Sequence, residues 1–304
     1  MDQGEALEKL KNCQVCPRKC GVDRFVGPVG FCKSSDKIKV ARVSLHYWEE
    51  PCISGEEGSG TVFFTGCNLN CVFCQNHEIS QQGVGKYISI ERLSDTFLEQ
   101  QTRGANNINL VTPTHYVPQI VMALNIAKDK GLVIPVVYNS NGYESLDTLE
   151  LLRGYVDVFV PDLKYYKDKY GIKYSKVDNY FYHASKAIDK MVHMVGDIKF
   201  NSKGIIEKGV IVRHLMLPGL LFDSKKIMDY LHKTYGDKIY ISLMNQYTPM
   251  FKAKEYPEIN RTLSKEHYDS LIDYCLNIGI KNGFIQEEGT NKEAYVPEFD
   301  LRGV

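Results

Sequence analysis

From about residue 60 onward, short apolar, β-branched runs recur, each followed by a stretch whose apolar residues return at helical spacing. The runs predict strands at Thr61–Thr65, Asn107–Val111, Val133–Tyr138, Asp157–Val160, Val210–Met216 and Ile239–Met244. The intervening periodicity predicts helices over Ile90–Thr102, Pro118–Lys130, Leu146–Arg153, Ala184–Met194, Lys225–Tyr235 and Ser264–Ile278. Ser145 and Ser264 are expected as helix N-caps, Glu266 lying near Ser264 but outside the capping-box register. Strands alternating with helices need right-handed crossovers and therefore parallel pairing. Six such units predict an α/β fold, a partial (β/α)6 TIM-like barrel that stays open. Its chemistry is expected at the C-terminal ends of the strands. Before residue 60 periodicity is weak and Gly and Cys are frequent. That shift predicts a Cys-rich N-terminal extension over 1–58 and a barrel domain over 59–304, with no repeat and no low-complexity linker.

Composition adds little beyond exclusion. The 304 residues are 43% hydrophobic and 24% charged, which is ordinary for a globular chain. Thirty-seven basic residues balance thirty-seven acidic ones, so no global charge steers the protein toward nucleic acid or anionic lipid. No apolar run approaches the roughly 20 residues of a membrane span. The start, Met1-Asp2-Gln3-Gly4-Glu5, is acidic where a signal peptide would be basic and then apolar. A cytoplasmic protein with no membrane partner is the expectation. Lys164–Lys190 holds seven lysines and six tyrosines against three aspartates, a mixture able to stack on nucleic acid. The favoured reading is instead a solvated excursion whose tyrosines cover the barrel.

Cysteine placement changes the picture. Of nine cysteines, at 13, 16, 20, 32, 52, 67, 71, 74 and 275, eight fall in the first quarter of the chain. A secreted disulfide scaffold would be shorter and even-numbered. Clustered thiols in a reducing compartment read as ligands of a metal or an iron–sulfur cluster.

Gly66-Cys67-Asn68-Leu69-Asn70-Cys71-Val72-Phe73-Cys74-Gln75-Asn76 sets three thiols with gaps of three and two residues, directly after the first predicted strand. Three thiolates on one loop can hold three irons of a [4Fe–4S] cube and leave the fourth open to a substrate or cofactor. Ferredoxins close that shell with four cysteines. Structural zinc also wants four ligands, usually as two separated pairs.

At these residues the chain resembles the radical S-adenosylmethionine (SAM) superfamily, whose cluster loop is C-x3-C-x2-C with an aromatic, here Phe73, before the last cysteine. The resemblance extends to the pyruvate formate-lyase activating enzyme-like branch through Asn139-Ser140-Asn141-Gly142, Asp162-Leu163-Lys164, and Val212-Arg213 with Pro218-Gly219. Within it, uncharacterised homologues share stretches like Cys13–Gly21, Glu49–Gly55 and Tyr295–Asp300. The resemblance implies an oxidoreductase in which Cys67, Cys71 and Cys74 bind the cluster and SAM chelates the fourth iron. Phe73 would lie near the adenine, with Asn76 also in the cofactor-binding set. Lys164 and Arg213 would meet the SAM carboxylate, and Asn139, Ser140 and Asp162 would line the ribose and methionine side. It further implies a reducing partner of the flavodoxin or ferredoxin type, and as substrate either a glycyl radical enzyme or a small molecule.

Two departures stand out. The family's Gly-Gly-Glu segment is replaced by Val111-Thr112-Pro113-Thr114-His115, and Asn139 replaces an aspartate that helps hold a cation in activating enzymes. His115 could be a substrate-facing acid or base, although a solvated loop histidine is the commoner case. Cys13, Cys16, Cys20 and Cys32 are enough for a second metal site, either Zn or an auxiliary Fe–S cluster, and their spacing does not choose. Cys52 and Cys275 are expected to be buried and inert, although Cys52 stands near the cluster loop in sequence. Glu49 and Glu50 could hold a cationic substrate group or form a solvated turn. The rivals to a radical enzyme are a zinc-stapled nucleic-acid module using Lys164–Lys190 and an electron carrier.

Overall fold

The computed structural model describes residues 7–27, 29–286 and 297–304. Tyr295 and Val296, in the shared C-terminal stretch, lie outside the described residues. In chain order the elements begin with β1 (Ile38–His46), α1 (Pro51–Ser54), β2 (Ser59–Phe64), α2 (His77–Ser80), β3 (Lys86–Ile88), α3 (Ile90–Thr102) and β4 (Ile108–Val111). There follow α4 (Val117–Asp129), β5 (Val136–Ser140), α5 (Leu146–Glu150), β6 (Val158–Pro161), α6 (Asp168–Ser175) and α7 (Tyr180–Val195). The remainder is β7 (Lys199–Phe200), β8 (Ile206–Leu215), α8 (Leu221–Tyr235), β9 (Tyr240–Met244), α9 (Lys265–Asn277) and β10 (Gly283–Ile285).

The sheet runs β10-β9-β8-β6-β5-β4-β2-β1-β3, with β7 paired to β8 off this path. Every pairing from β2 through β10 along that order is parallel, while β1 runs antiparallel to both β2 and β3. The end strands β3 and β10 do not meet, so the barrel is partial and open, as the alternating pattern predicts. Strands β2, β4 and β6 are buried at every position, which fits a parallel sheet covered by helices on one face and filled on the other.

All six predicted strands exist, within a few residues of the expected bounds. Helix α3 has the predicted limits, and the Ser89 side chain caps it by accepting the Arg92 N–H at 3.1 Å. Ser264 caps α9 in the same way through the His267 N–H, whereas Ser145 makes no side-chain cap bond. Helix α5 stops at Glu150, short of Arg153, where turns run into Gly154 at φ +80°. Helix α7 starts at Tyr180, four residues early, because Tyr180 is fully buried and anchors its first turn.

Weak periodicity before residue 60 concealed a nine-residue strand. β1 lies within the stretch assigned to the extension, yet it pairs along β2 in the main sheet. The C-terminal tail packs beside it, the Leu301 N–H donating to the Ala41 carbonyl at 3.2 Å and the Val43 N–H to the Arg302 carbonyl at 2.9 Å, and Phe299 lies edge-on to Phe63 of β2 at 5.6 Å between ring centroids. In Lys164–Lys190, Tyr165, Tyr174 and Tyr180 are buried, which leaves no continuous aromatic platform for bases. Among the described residues, no helix is long and apolar enough to cross a membrane.

Candidate functional site

Parallel strands put all their C-terminal ends on one rim, and a cavity of about 880 Å³ opens there. Cys67, Cys71, Phe73, Cys74, Asn76, Asn139, Ser140, Asp162, Lys164 and Arg213 all line it, brought together from the loops after β2 and β6 and from strands β5 and β8.

The cysteine loop is held in place before anything binds to it. Its apolar residues Leu69, Val72 and Phe73 are buried, and Phe73 meets Tyr247 edge-on at 5.7 Å. The Val72 N–H donates to the Tyr174 carbonyl at 2.8 Å, and the Asn68 side chain donates to the Tyr143 carbonyl at 2.7 Å. Cys71 Sγ lies 3.1 Å from Ser175 Oγ, Cys74 Sγ lies 3.3 Å from Ser80 Oγ, and Asn141 Nδ2 donates to Cys67 Sγ at 3.4 Å. Burial pushes all three thiols up, Cys74 to about 11, while Lys164 pulls Cys71 back toward the thiolate. A cysteine binds metal as the thiolate, so loading thiols held protonated by burial would release protons.

The donor set fits an iron–sulfur cube. Among the described residues no fourth cysteine lines this cavity, and no three His, Cys, Asp or Glu side chains converge as ligands of one ion do. Three soft thiolates spread around a roomy cavity suit a larger group with one corner left to a non-protein ligand.

The cavity lining also carries charge. Lys164 Nζ meets Asp162 Oδ2 at 2.5 Å; burial works against its ammonium, but Asp162 and Cys71 hold it above the ordinary lysine range. Arg213 is buried and ion-paired to both Glu49 and Glu50, with Nε donating to Glu50 Oε1 at 2.8 Å. Glu49 also accepts from Asn109 Nδ2 at 3.0 Å. The pair Glu49–Glu50 is therefore neither a solvated turn nor unpartnered. Both cations expected at a SAM carboxylate already have protein carboxylates as partners.

The Asn139-Ser140-Asn141-Gly142 turn depends on its glycine. Gly142 has φ +78°, and a Cβ there would stand 2.3 Å from the Asp162 carbonyl oxygen. Tyr180 stitches the same two strand ends. Its hydroxyl is 2.8 Å from the Asn141 carbonyl and 2.9 Å from the Asp162 carbonyl, and it accepts the Lys164 N–H at 3.1 Å. Nothing in the sequence marks Tyr180, one aromatic among many in a Lys/Tyr-rich stretch. Behind the turn, burial pushes the Glu144 carboxyl up to about 7, against hydrogen bonds from Thr114, Ser140 and Tyr138.

His115 overturns both readings offered for it. It is only 2% exposed, so it is not a solvated loop residue, and it does not line the rim cavity. It turns inward to a second, small cavity beside the N-terminal cysteines. Cys52 and Cys275 are buried, and burial pushes each thiol up to about 12, as inert residues require.

Comparison with known proteins agrees with this arrangement. The Radical SAM superfamily matches over residues 61–231, which takes in the cysteine loop and the strands through β8. An uncharacterized protein of Methanocaldococcus jannaschii is 35% identical over 273 residues, covering 87% of this chain and 74% of that relative. Among solved structures, the FeFe-hydrogenase maturase HydG of Carboxydothermus hydrogenoformans superposes with a TM-score of 0.52 at 15% identity, over 76% of this chain and 54% of that one. Streptococcus suis SuiB bound to its precursor peptide SuiA superposes at 0.50 with 16% identity, over 73% of this chain and 46% of that one. The chain thus spans about half the length of these two structures, and at such identities they share its fold alone. With its open parallel barrel, three-cysteine rim loop and family match, this chain belongs to the radical SAM superfamily.

Proposed function

We propose that Cys67, Cys71 and Cys74 hold the [4Fe–4S] cluster that membership of this superfamily brings. SAM, the second cofactor, would lie across the rim cavity between the cysteine loop and the ends of β5, β6 and β8. When bound, the cofactor pair supplies a one-electron reductive cleavage of SAM that yields a 5′-deoxyadenosyl radical for hydrogen abstraction. The residues supply the setting. Phe73 and Asn76 bracket the adenine side, Asn139, Ser140 and Asp162 face the ribose and methionine, and Lys164 offers its ammonium to the SAM carboxylate in exchange for part of its pairing with Asp162. Arg213 presents its charge from a frame fixed by Glu49 and Glu50, which holds the guanidinium in one orientation. Buried Leu69, Val72 and Tyr247 exclude water beside the cluster loop. The observation that carries this reading is the convergence of three thiols and these polar strand ends on one cavity.

For substrate, the reading is hydrogen abstraction from a glycine of a partner glycyl radical enzyme, with electrons from a flavodoxin- or ferredoxin-type donor. Exposed Tyr47 and Trp48 on the cavity rim offer a polypeptide an aromatic edge. The cavity's volume favours a second reading, a small molecule bound beside SAM.

The test is anaerobic reconstitution with iron and sulfide, reduction in the presence of SAM, and measurement of 5′-deoxyadenosine and methionine. Wild type should produce both, and Cys67→Ala should fall to background. Equal yields would overturn the assignment of the triplet. Adding a purified glycyl radical enzyme from the same organism should produce an EPR doublet from a glycyl α-hydrogen; no such signal, with deoxyadenosine still formed, would leave the small-molecule reading standing.

A further inference from the structure

The N-terminal extension builds a second constellation that the radical reaction does not use. Cys13, Cys16, Cys20 and Cys32 all line one small cavity, and His115 lines it too. Cys13 and Cys16 are buried, and all four thiols are unbridged by disulfides. The cavity measures only about 10 Å³, near the space one water would fill.

His115 is the independent pointer. Its Nε2 lies 2.8 Å from the Thr65 carbonyl oxygen. A carbonyl only accepts, so Nε2 carries the proton. Nδ1, the other ring nitrogen, is buried with no hydrogen-bond partner. A ring nitrogen fixed by a backbone carbonyl on one side and unused on the other is the state of a metal-ligating histidine.

We propose that Cys13, Cys16, Cys20 and Cys32, with His115 Nδ1 as a further donor, form a second, thiolate-bound metal centre, separate from the rim cluster. The donor set is four soft thiolates with one imidazole, from which zinc would take four ligands and a small iron–sulfur centre its thiolates. Among the described residues no three of these side chains stand at the spacing of ligands to a single ion, so binding would have to draw the thiols together.

The centre sits directly under the catalytic loop. Arg18, between the second and third cysteines, donates through Nε to the Asn68 carbonyl at 2.6 Å and lays its guanidinium over the Phe31 ring at 3.3 Å. Gly66, next to Cys67, has φ +95°, and a Cβ there would fall 2.7 Å from the Cys32 carbonyl oxygen and 2.6 Å from Ser34 Oγ. The second centre thus braces the backbone from which Cys67 projects.

The test is metal analysis of anaerobically purified, reconstituted full-length protein, joined to X-ray absorption at the edge of the metal found. Wild type should hold, beyond about four irons for the rim cluster, either about one zinc or a further set of irons. For zinc, absorption should show sulfur near about 2.3 Å plus a nitrogen contribution. Cys13→Ser/Cys16→Ser should lose the extra metal, and Cys275→Ser should keep it. Wild type with only about four irons and no zinc would overturn the proposal, as would a double variant that keeps the extra metal. Since the absorption spectrum is read on wild type, an all-oxygen shell would overturn it even if the double variant failed to fold. Deoxyadenosine formation tests the rim cluster separately, so the two readings fail independently.

Discussion

Arg213 and Glu50, 163 positions apart, are joined side chain to side chain at the base of the rim cavity, Nε to Oε1 at 2.8 Å. Burial pushes the Glu50 carboxyl up, but the guanidinium overcomes that and holds it below the ordinary carboxylate range. Removing one partner from a buried pair leaves an uncompensated charge. Arg213→Ala should therefore cost about 3–5 kcal/mol of stability, measured by denaturant unfolding. Replacing Glu49, Glu50 and Arg213 together with neutral residues of similar volume should recover most of it. A single variant as stable as wild type would show that the pairing is not maintained in solution.

Lys164 is tied to one carboxylate and lines the cavity, so its loss should be felt in binding before folding. Lys164→Ala should raise the SAM Kd of cluster-loaded protein about ten- to a hundredfold, the worth of one or two charge-assisted hydrogen bonds. Iron content should stay at the wild-type level. Equilibrium dialysis with labelled SAM checks this, and a Kd within twofold of wild type would remove Lys164 from the site.

Tyr180→Phe deletes one oxygen that serves two carbonyls and one N–H. A loss of about 1–3 kcal/mol is expected. Gly142→Ala should do worse, because its Cβ would collide with the Asp162 carbonyl at 2.3 Å in a backbone region alanine avoids. Both are checked by thermal unfolding alongside SAM binding.

Glu144 gives a pH signature. Its folded pKa, about 7, lies above the unfolded value of 4.5, so the native state holds the proton more tightly. Stability should fall as pH rises from about 4.5 through 7 and stay reduced above it, by at most about 3 kcal/mol. Glu144→Gln should flatten that slope and melt higher than wild type at pH 8. An unchanged slope would mean that another group titrates.

What could be read along the chain was whatever repeats along the chain. Strand and helix order, the open parallel barrel and the three-cysteine loop all depend on periods and spacings within a few residues of each other. The rim residues were legible because parallel pairing sends every strand end to the same side, whatever the register. β1 and β10 were not legible, the first lying among cysteines and glycines, the second spanning only three residues. Partnerships were hidden in the same way. That Arg213 is claimed by Glu49 and Glu50, that Tyr180 bridges two strand ends, and that His115 lines the small cavity of the N-terminal cysteines rather than the rim cavity are facts of closure. They depend on which buried polar groups find each other once distant segments pack, and no local pattern encodes that choice, because each group needs a partner while its sequence neighbours do not say which.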